Sequence, residues 1–106
     1  MTVPTCWRAG SSGSALLCER WSKLEGTLPH VQVMLAQVST ELAAAEVIGP
    51  RGEDLLLIWH PLEPFSERGA YEVAREHDWI VQHAGASVVA MHDREFRDQY
   101  ELDELD

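Results

Sequence analysis

The stretch Pro29-His30-Val31-Gln32-Val33-Met34-Leu35-Ala36-Gln37-Val38-Ser39-Thr40-Glu41-Leu42-Ala43-Ala44-Ala45-Glu46-Val47-Ile48 decides how the fold is read. Pro29 suits a first helical turn, where its missing N–H is no loss. Val31, Leu35, Val38, Leu42 and Ala45 recur at helical spacing, and Gly49-Pro50 marks a stop. One continuous helix over this stretch is the expectation. Upstream, Ser14 is a candidate N-cap for a shorter helix to about Leu24, because Leu17, Trp21 and Leu24 repeat at i, i+4 and i+7 and Gly26 follows. Two helices joined by so few residues predict an antiparallel helical hairpin.

Beyond Pro50-Arg51-Gly52 the texture changes. Leu55-Leu56-Leu57-Ile58-Trp59 is a short apolar run bounded by turn residues and Pro61, which favours a buried strand. Within the ambiguous segment 66–77, a strand from about Ala70 to Ala74 is preferred. Trp79-Ile80-Val81-Gln82 and Val88-Val89-Ala90-Met91 flank Ala84-Gly85-Ala86-Ser87, a hairpin signal. Cross-strand packing favours the register that sets Trp79 and Val81 opposite Met91 and Val89 over one that sets Trp79 opposite His92. Asp93 reads as the cap of a short helix with Phe96 and Tyr100 on one face. Residues 1–13 read as a flexible lead-in, and residues 101–106, with acids and no base, as a frayed acidic tail. The expected fold class is α+β: an N-terminal antiparallel helical hairpin packed on a small antiparallel β-sheet, with a short C-terminal helix and an acidic tail.

A chain of 106 residues has the length of one domain, and 45% hydrophobic with 25% charged residues is a globular composition, so one domain over 1–106 is expected. The formal net charge of −10 is uneven: residues 1–50 hold four acids and three bases, residues 51–106 fourteen acids and five bases. Such a surface repels phosphate, which argues against direct contact with nucleic acid or an anionic membrane and for a basic protein partner. Cys6 and Cys18 fit no metal-ligand spacing and read as reduced thiols. No apolar h-region follows a basic start and no run reaches the length of a membrane span, so a cytoplasmic protein is expected.

The string Asp78-Trp79-Ile80-Val81, a glycine-containing turn, Val88-Val89-Ala90-Met91, Glu95-Phe96 and Tyr100-Glu101 resembles the PGDYG-type module of small bacterial and bacteriophage proteins. The resemblance covers roughly Tyr71 to Glu101. Two positions depart from it: His77 stands where the pattern has glycine and Glu76 where it has proline. The resemblance implies a β-hairpin followed by a docking helix and a phage or mobile-element origin. It implies no catalytic residue.

Chemistry-bearing motifs are sparse. His60, His77, His83 and His92 fall at expected strand ends, and two such ends meeting could bring His60, His92 and Asp93 together, with Glu63 nearby, as a zinc or manganese set. No His-Glu-x-x-His, Cys-x-x-Cys, Gly-x-Gly-x-x-Gly or Walker pattern occurs, and neither cysteine adjoins a histidine or a glycine-rich elbow. No catalytic residue, metal or cofactor is therefore assigned. The reading is a non-enzymatic acidic interaction protein whose Asp98, Glu101, Asp103 and Glu104 meet a basic partner surface, as an inhibitor or by nucleic-acid mimicry. A small metal-dependent enzyme and a structural or assembly subunit are the alternatives. Val33, Met34 and Val47 widen the apolar stripe of the second helix enough to serve a homodimer.

Overall fold

The computed structural model describes residues 3–10, 13, 15–60, 71–83 and 87–103. In chain order the elements are β1 (Thr5–Arg8), β2 (Leu16–Arg20), α1 (Leu28–Val38), β3 (Ala43–Ile48), β4 (Asp54–Trp59), β5 (Tyr71–Arg75), β6 (Trp79–Gln82), β7 (Val88–Met91), α2 (Asp93–Gln99) and β8 (Tyr100–Leu102). The strands form two antiparallel sheets, ordered β7-β6-β2-β1-β8 and β3-β4-β5. Alternation along the five-stranded sheet sends Leu17, Ile80, Val88 and Ala90 to one side and Cys6, Cys18, Trp79 and Val81 to the other. The first side packs against Val31, Met34 and Leu35 of α1 and against Leu56, Ile58 and Ala74 of the three-stranded sheet. The second is closed by α2, whose Phe96 stacks on Trp79 (centroids 4.1 Å apart, planes 8° off parallel) and on Tyr100 (5.6 Å, 16°).

The protein is thus mostly β, and the expected helical hairpin on a small sheet is incorrect. Leu16–Arg20, read as helix, is the central strand β2, paired with β1 and β6. The spacing of Leu17, Trp21 and Leu24 was coincidental: Trp21 is fully buried, while Leu24 sits 84% exposed in the turn ending at Gly26, whose φ is +67°. The second helix stops at Val38, where Ser39 turns extended, and Ala43–Ile48 pairs residue for residue with β4. Ala43-Ala44-Ala45 has high helix propensity, but six registered cross-strand pairs outweigh a preference of a few tenths of a kcal/mol per residue. Within the stretches expected as lead-in and tail, Thr5–Arg8 is a strand with Val3 buried beside it, and Tyr100–Leu102 pairs with it as β8. Glu101 and Leu102, expected in the tail, are thus paired with Trp7 and Cys6, while Glu104 lies outside the described residues. The strands at 55–59 and 70–74 match β4 and β5 closely, and the β6–β7 register is the favoured one, Trp79↔Met91 and Val81↔Val89.

Polar contacts tie the layers together. Trp21 donates its indole N–H to Glu46 of β3 (3.0 Å), crossing from one sheet to the other. Glu76 accepts hydrogen bonds from the Ser22 hydroxyl and the Lys23 N–H (2.8 Å), latching the 22–26 turn onto the β5–β6 connection. Desolvation pushes the Glu76 carboxyl up, but these donors, with the Leu24 N–H and His77 nearby, hold it below its ordinary range. Glu72 accepts from the Ala90 N–H of edge strand β7, and its burial raises its pKa. His77 holds a φ of +72°, the left-handed conformation that suits glycine, at the position where the PGDYG-type pattern has glycine.

Two outcomes follow. Glu76→Ala should lower stability by about 1–3 kcal/mol in urea unfolding at neutral pH, because the buried Ser22 hydroxyl loses its acceptor. The loss should shrink in acid, since a lowered carboxyl stabilises above its ordinary value of 4.5 and ceases to as pH falls through its folded value. His77→Gly should raise stability by up to about 1 kcal/mol by relieving the left-handed backbone, as measured by thermal melting.

Candidate interaction surface

From Leu55 to Trp59, strand β4 is apolar at both parities. Leu56 and Ile58 enter the core between the sheets, so the pleat turns Leu55, Leu57 and Trp59 to the opposite face. Pairing extends that face sideways into three rows: Ala43 beside Trp59, Ala45 beside Leu57 beside Val73, and Val47 beside Leu55 beside Arg75. Among the described side chains, seven apolar ones and one arginine therefore share it, with no acid, on a chain of net charge −10. None of the seven belongs to either hydrophobic core. Val73 is 45% exposed and the others are half-buried by their own neighbours. An antiparallel sheet with one wet face alternates apolar and polar residues, whereas a strand covered on both faces is apolar throughout. β4 has the second composition and, among the described residues, only one covered face.

The acids expected to bind a partner lie elsewhere. Asp98 is exposed on α2 and Glu101 on β8, and neither makes an ion pair among the described residues. Asp103 accepts a hydrogen bond from the Thr5 hydroxyl (3.2 Å) and its N–H donates to the Thr5 carbonyl (2.9 Å), so it extends the β1–β8 pairing. A depression of about 240 Å³ lined by Phe96, Arg97, Tyr100, Glu101 and Leu102 lies beside Glu101.

Among the described residues the metal set does not assemble, and Glu63 lies outside them. His60 follows β4 on the three-stranded sheet and His92 follows β7 on the other, and the described residues hold no group of three His, Cys, Asp or Glu side chains fit for a metal ion. Asp93 is the first residue of α2 and not its cap, a position that His92 takes. Its carboxylate accepts from the Trp79 indole (2.8 Å) and from Arg97 (2.9 Å), which hold its pKa down. His92 approaches Asp78 instead: Nδ1 lies 3.5 Å from Oδ1, a buried oxygen with no hydrogen bond. Ser22, Glu76 and His77 also cluster, but the carboxylate stands between hydroxyl and imidazole, and Ser22 is fully buried. That order supplies no histidine base to a serine nucleophile.

Cys6 and Cys18 sit on neighbouring strands, facing the α2 side, both fully buried and both free thiols. Their mutual hydrogen bond, reinforced by burial, pushes the Cys18 thiol far above its ordinary range.

Sequence reasoning missed the apolar face because Ala43–Ile48 was assigned to a helix, which left β4 without its neighbour. The signal was present in Leu55-Leu56-Leu57-Ile58-Trp59, where apolar residues fill both parities. Comparison of the chain with family models, with curated proteins and with solved structures gives no match. Among the described residues no helix is long and apolar enough to cross a membrane.

Both cysteines should resist Ellman's reagent in the folded protein and react together once urea unfolds it. Fast reaction of either thiol in native buffer would contradict the burial described above.

Proposed function

We infer that this chain is a non-enzymatic interaction domain that holds a macromolecular partner against the outer face of its three-stranded sheet. One observation carries the reading: β4 is apolar on both faces, and the outer one meets neither core. Burying that face removes Leu57, Trp59 and Val73 from water at about 25 cal/mol per Å², without desolvating any acid. The many exposed carboxylates have the complementary role of keeping the rest of the surface hydrated.

A second reading rests on Asp98 and Glu101, exposed and without ion pairs beside the α2–β8 depression, with Asp103 following them. On that reading a basic protein surface docks at this end, and salt weakens the complex. The two readings separate in one experiment. The tagged full chain is used to retain partners from its native host, alongside Leu57→Lys and the double variant Asp98→Asn with Glu101→Gln. The apolar reading expects Leu57→Lys alone to lose the partner; the charge reading expects the double variant alone to lose it. A chain that retains neither another protein nor a second copy overturns both, as does a partner indifferent to all three changes.

A further inference from the structure

We propose that the outer face of the three-stranded sheet packs against the same face of a second copy, forming a two-fold dimer with Ala45 of each chain opposite Leu57 of the other. The proposal rests on the interaction-domain reading above and names its occupant.

Register carries it. The β3 column of the face is low, with Ala43 and Ala45, and the β4 column is high, with Trp59 and Leu57 in the same rows. A two-fold axis parallel to the strands, midway between two facing sheets and between β3 and β4, keeps each row at its height and exchanges the columns. Ala43 then lies over Trp59 of the second copy, Ala45 over Leu57 and Val47 over Leu55. Each ridge meets a trough, which is what two sheet faces about 10 Å apart require. Facing sheets cross at about 30°. That angle displaces the outer rows but leaves the central one, Ala45 with Leu57, in place.

Charge points the same way. Two chains of net charge −10 repel, yet the β3–β4 overlap brings no carboxylate against a carboxylate, since every outward side chain of those two strands is apolar. The overlap is small, about 10 Å across the two strands β3 and β4 by 20 Å along them. It falls well short of the roughly 800 Å² per partner of a standard interface. The dimer is therefore weak and concentration-dependent, and salt strengthens it by screening the repulsion. Docking of a basic partner has the opposite salt dependence.

Sedimentation equilibrium of the full chain over a range of concentrations, at low and high salt, tests the pairing. Wild type should pass from one chain to two as concentration rises, at lower concentration in high salt. Ala45→Glu and Leu57→Lys each bury an unpaired charge at the central row and should each weaken the dimer at least about tenfold. Their equimolar mixture should dimerise again, because only the mixed pair sets Glu against Lys across the interface. Val73→Lys, on β5 and outside the β3–β4 overlap, should leave dimerisation intact. If Ala45→Glu does not fold by circular dichroism, Ala45→Trp fills the trough and should prevent pairing alone. Wild type that stays a single chain throughout overturns the proposal. So do a folded mixture that fails to pair and a dimer that salt dissociates. If wild type is a single chain yet retains a host protein that Leu57→Lys loses, only the second copy falls, and the interaction reading stands.

Discussion

The pleat of β4 constrains everything else in this molecule. Strand side chains alternate, so seating Leu56 and Ile58 between the sheets commits Leu55, Leu57 and Trp59 to the other face. A slip of one residue would exchange the two sets and change almost nothing in hydrophobicity, since all five are large and apolar. Register must therefore be set by neighbours. β3 supplies it through small residues on both faces and through Glu46, whose carboxylate must reach the Trp21 indole on the inner side. A slip of β3 by one residue would turn Glu46 outward and leave a fully buried indole N–H without its acceptor.

The same economy of contacts explains how two separate sheets act as one body. The five-stranded sheet has a core on each face, whereas the three-stranded sheet has one, so the junction depends on a few polar clasps besides apolar packing. Trp21 to Glu46 is one. Glu72 to the Ala90 N–H is another, placed where edge strand β7 would otherwise present an open donor. Lys23 to Asp54 (2.9 Å) ties the 22–26 turn to β4 from the surface, in an exposed setting where an ion pair contributes little. The clasps accordingly differ in kind: those that accept from buried donors fix geometry, and those in water follow it.

How much of this was legible from residues alone divides by range of interaction. The β6–β7 hairpin was readable to its register, because the deciding pairs, Trp79 with Met91 and Val81 with Val89, are close in sequence and packing on one face selects them. β4 and β5 were readable as strands from composition and flanking residues. β1, β2 and β8 were not, because each is short and acquires its strand character from partners far along the chain: Cys18 pairs with Val81, and Cys6 with Leu102. Ala43–Ile48 failed for a different reason. There local propensity was strong and wrong, overridden by pairing with β4 across the Gly49–Glu53 turn. Asp98 and Glu101, expected to meet a partner, are exposed, while the candidate face was signalled only by the two-sided apolar run of β4, since a face exists only once three strands are in register.

Placement of charge relative to that face is the last physical step. A surface carrying a large net charge resists nonspecific association, because any two chains approaching at random meet with carboxylates toward each other. A patch without acids on such a chain is a place where close approach costs no desolvation of carboxylates. Acidity and the apolar face are then two parts of one device, the first discouraging wrong encounters and the second rewarding the right one. The fold provides the separation by its own alternation: on β3, β4 and β5 the acids Glu46, Asp54 and Glu72 all occupy inward-parity positions, where they bond across layers or to Lys23, and the described outward side chains are alanine, valine, leucine, tryptophan and Arg75. A sheet that buries Leu56, Ile58 and Ala74 on one face and still turns apolar residues, and none of its described acids, to the other departs from the ordinary alternation, and that departure is the physical reason for reading the outer face as a contact surface.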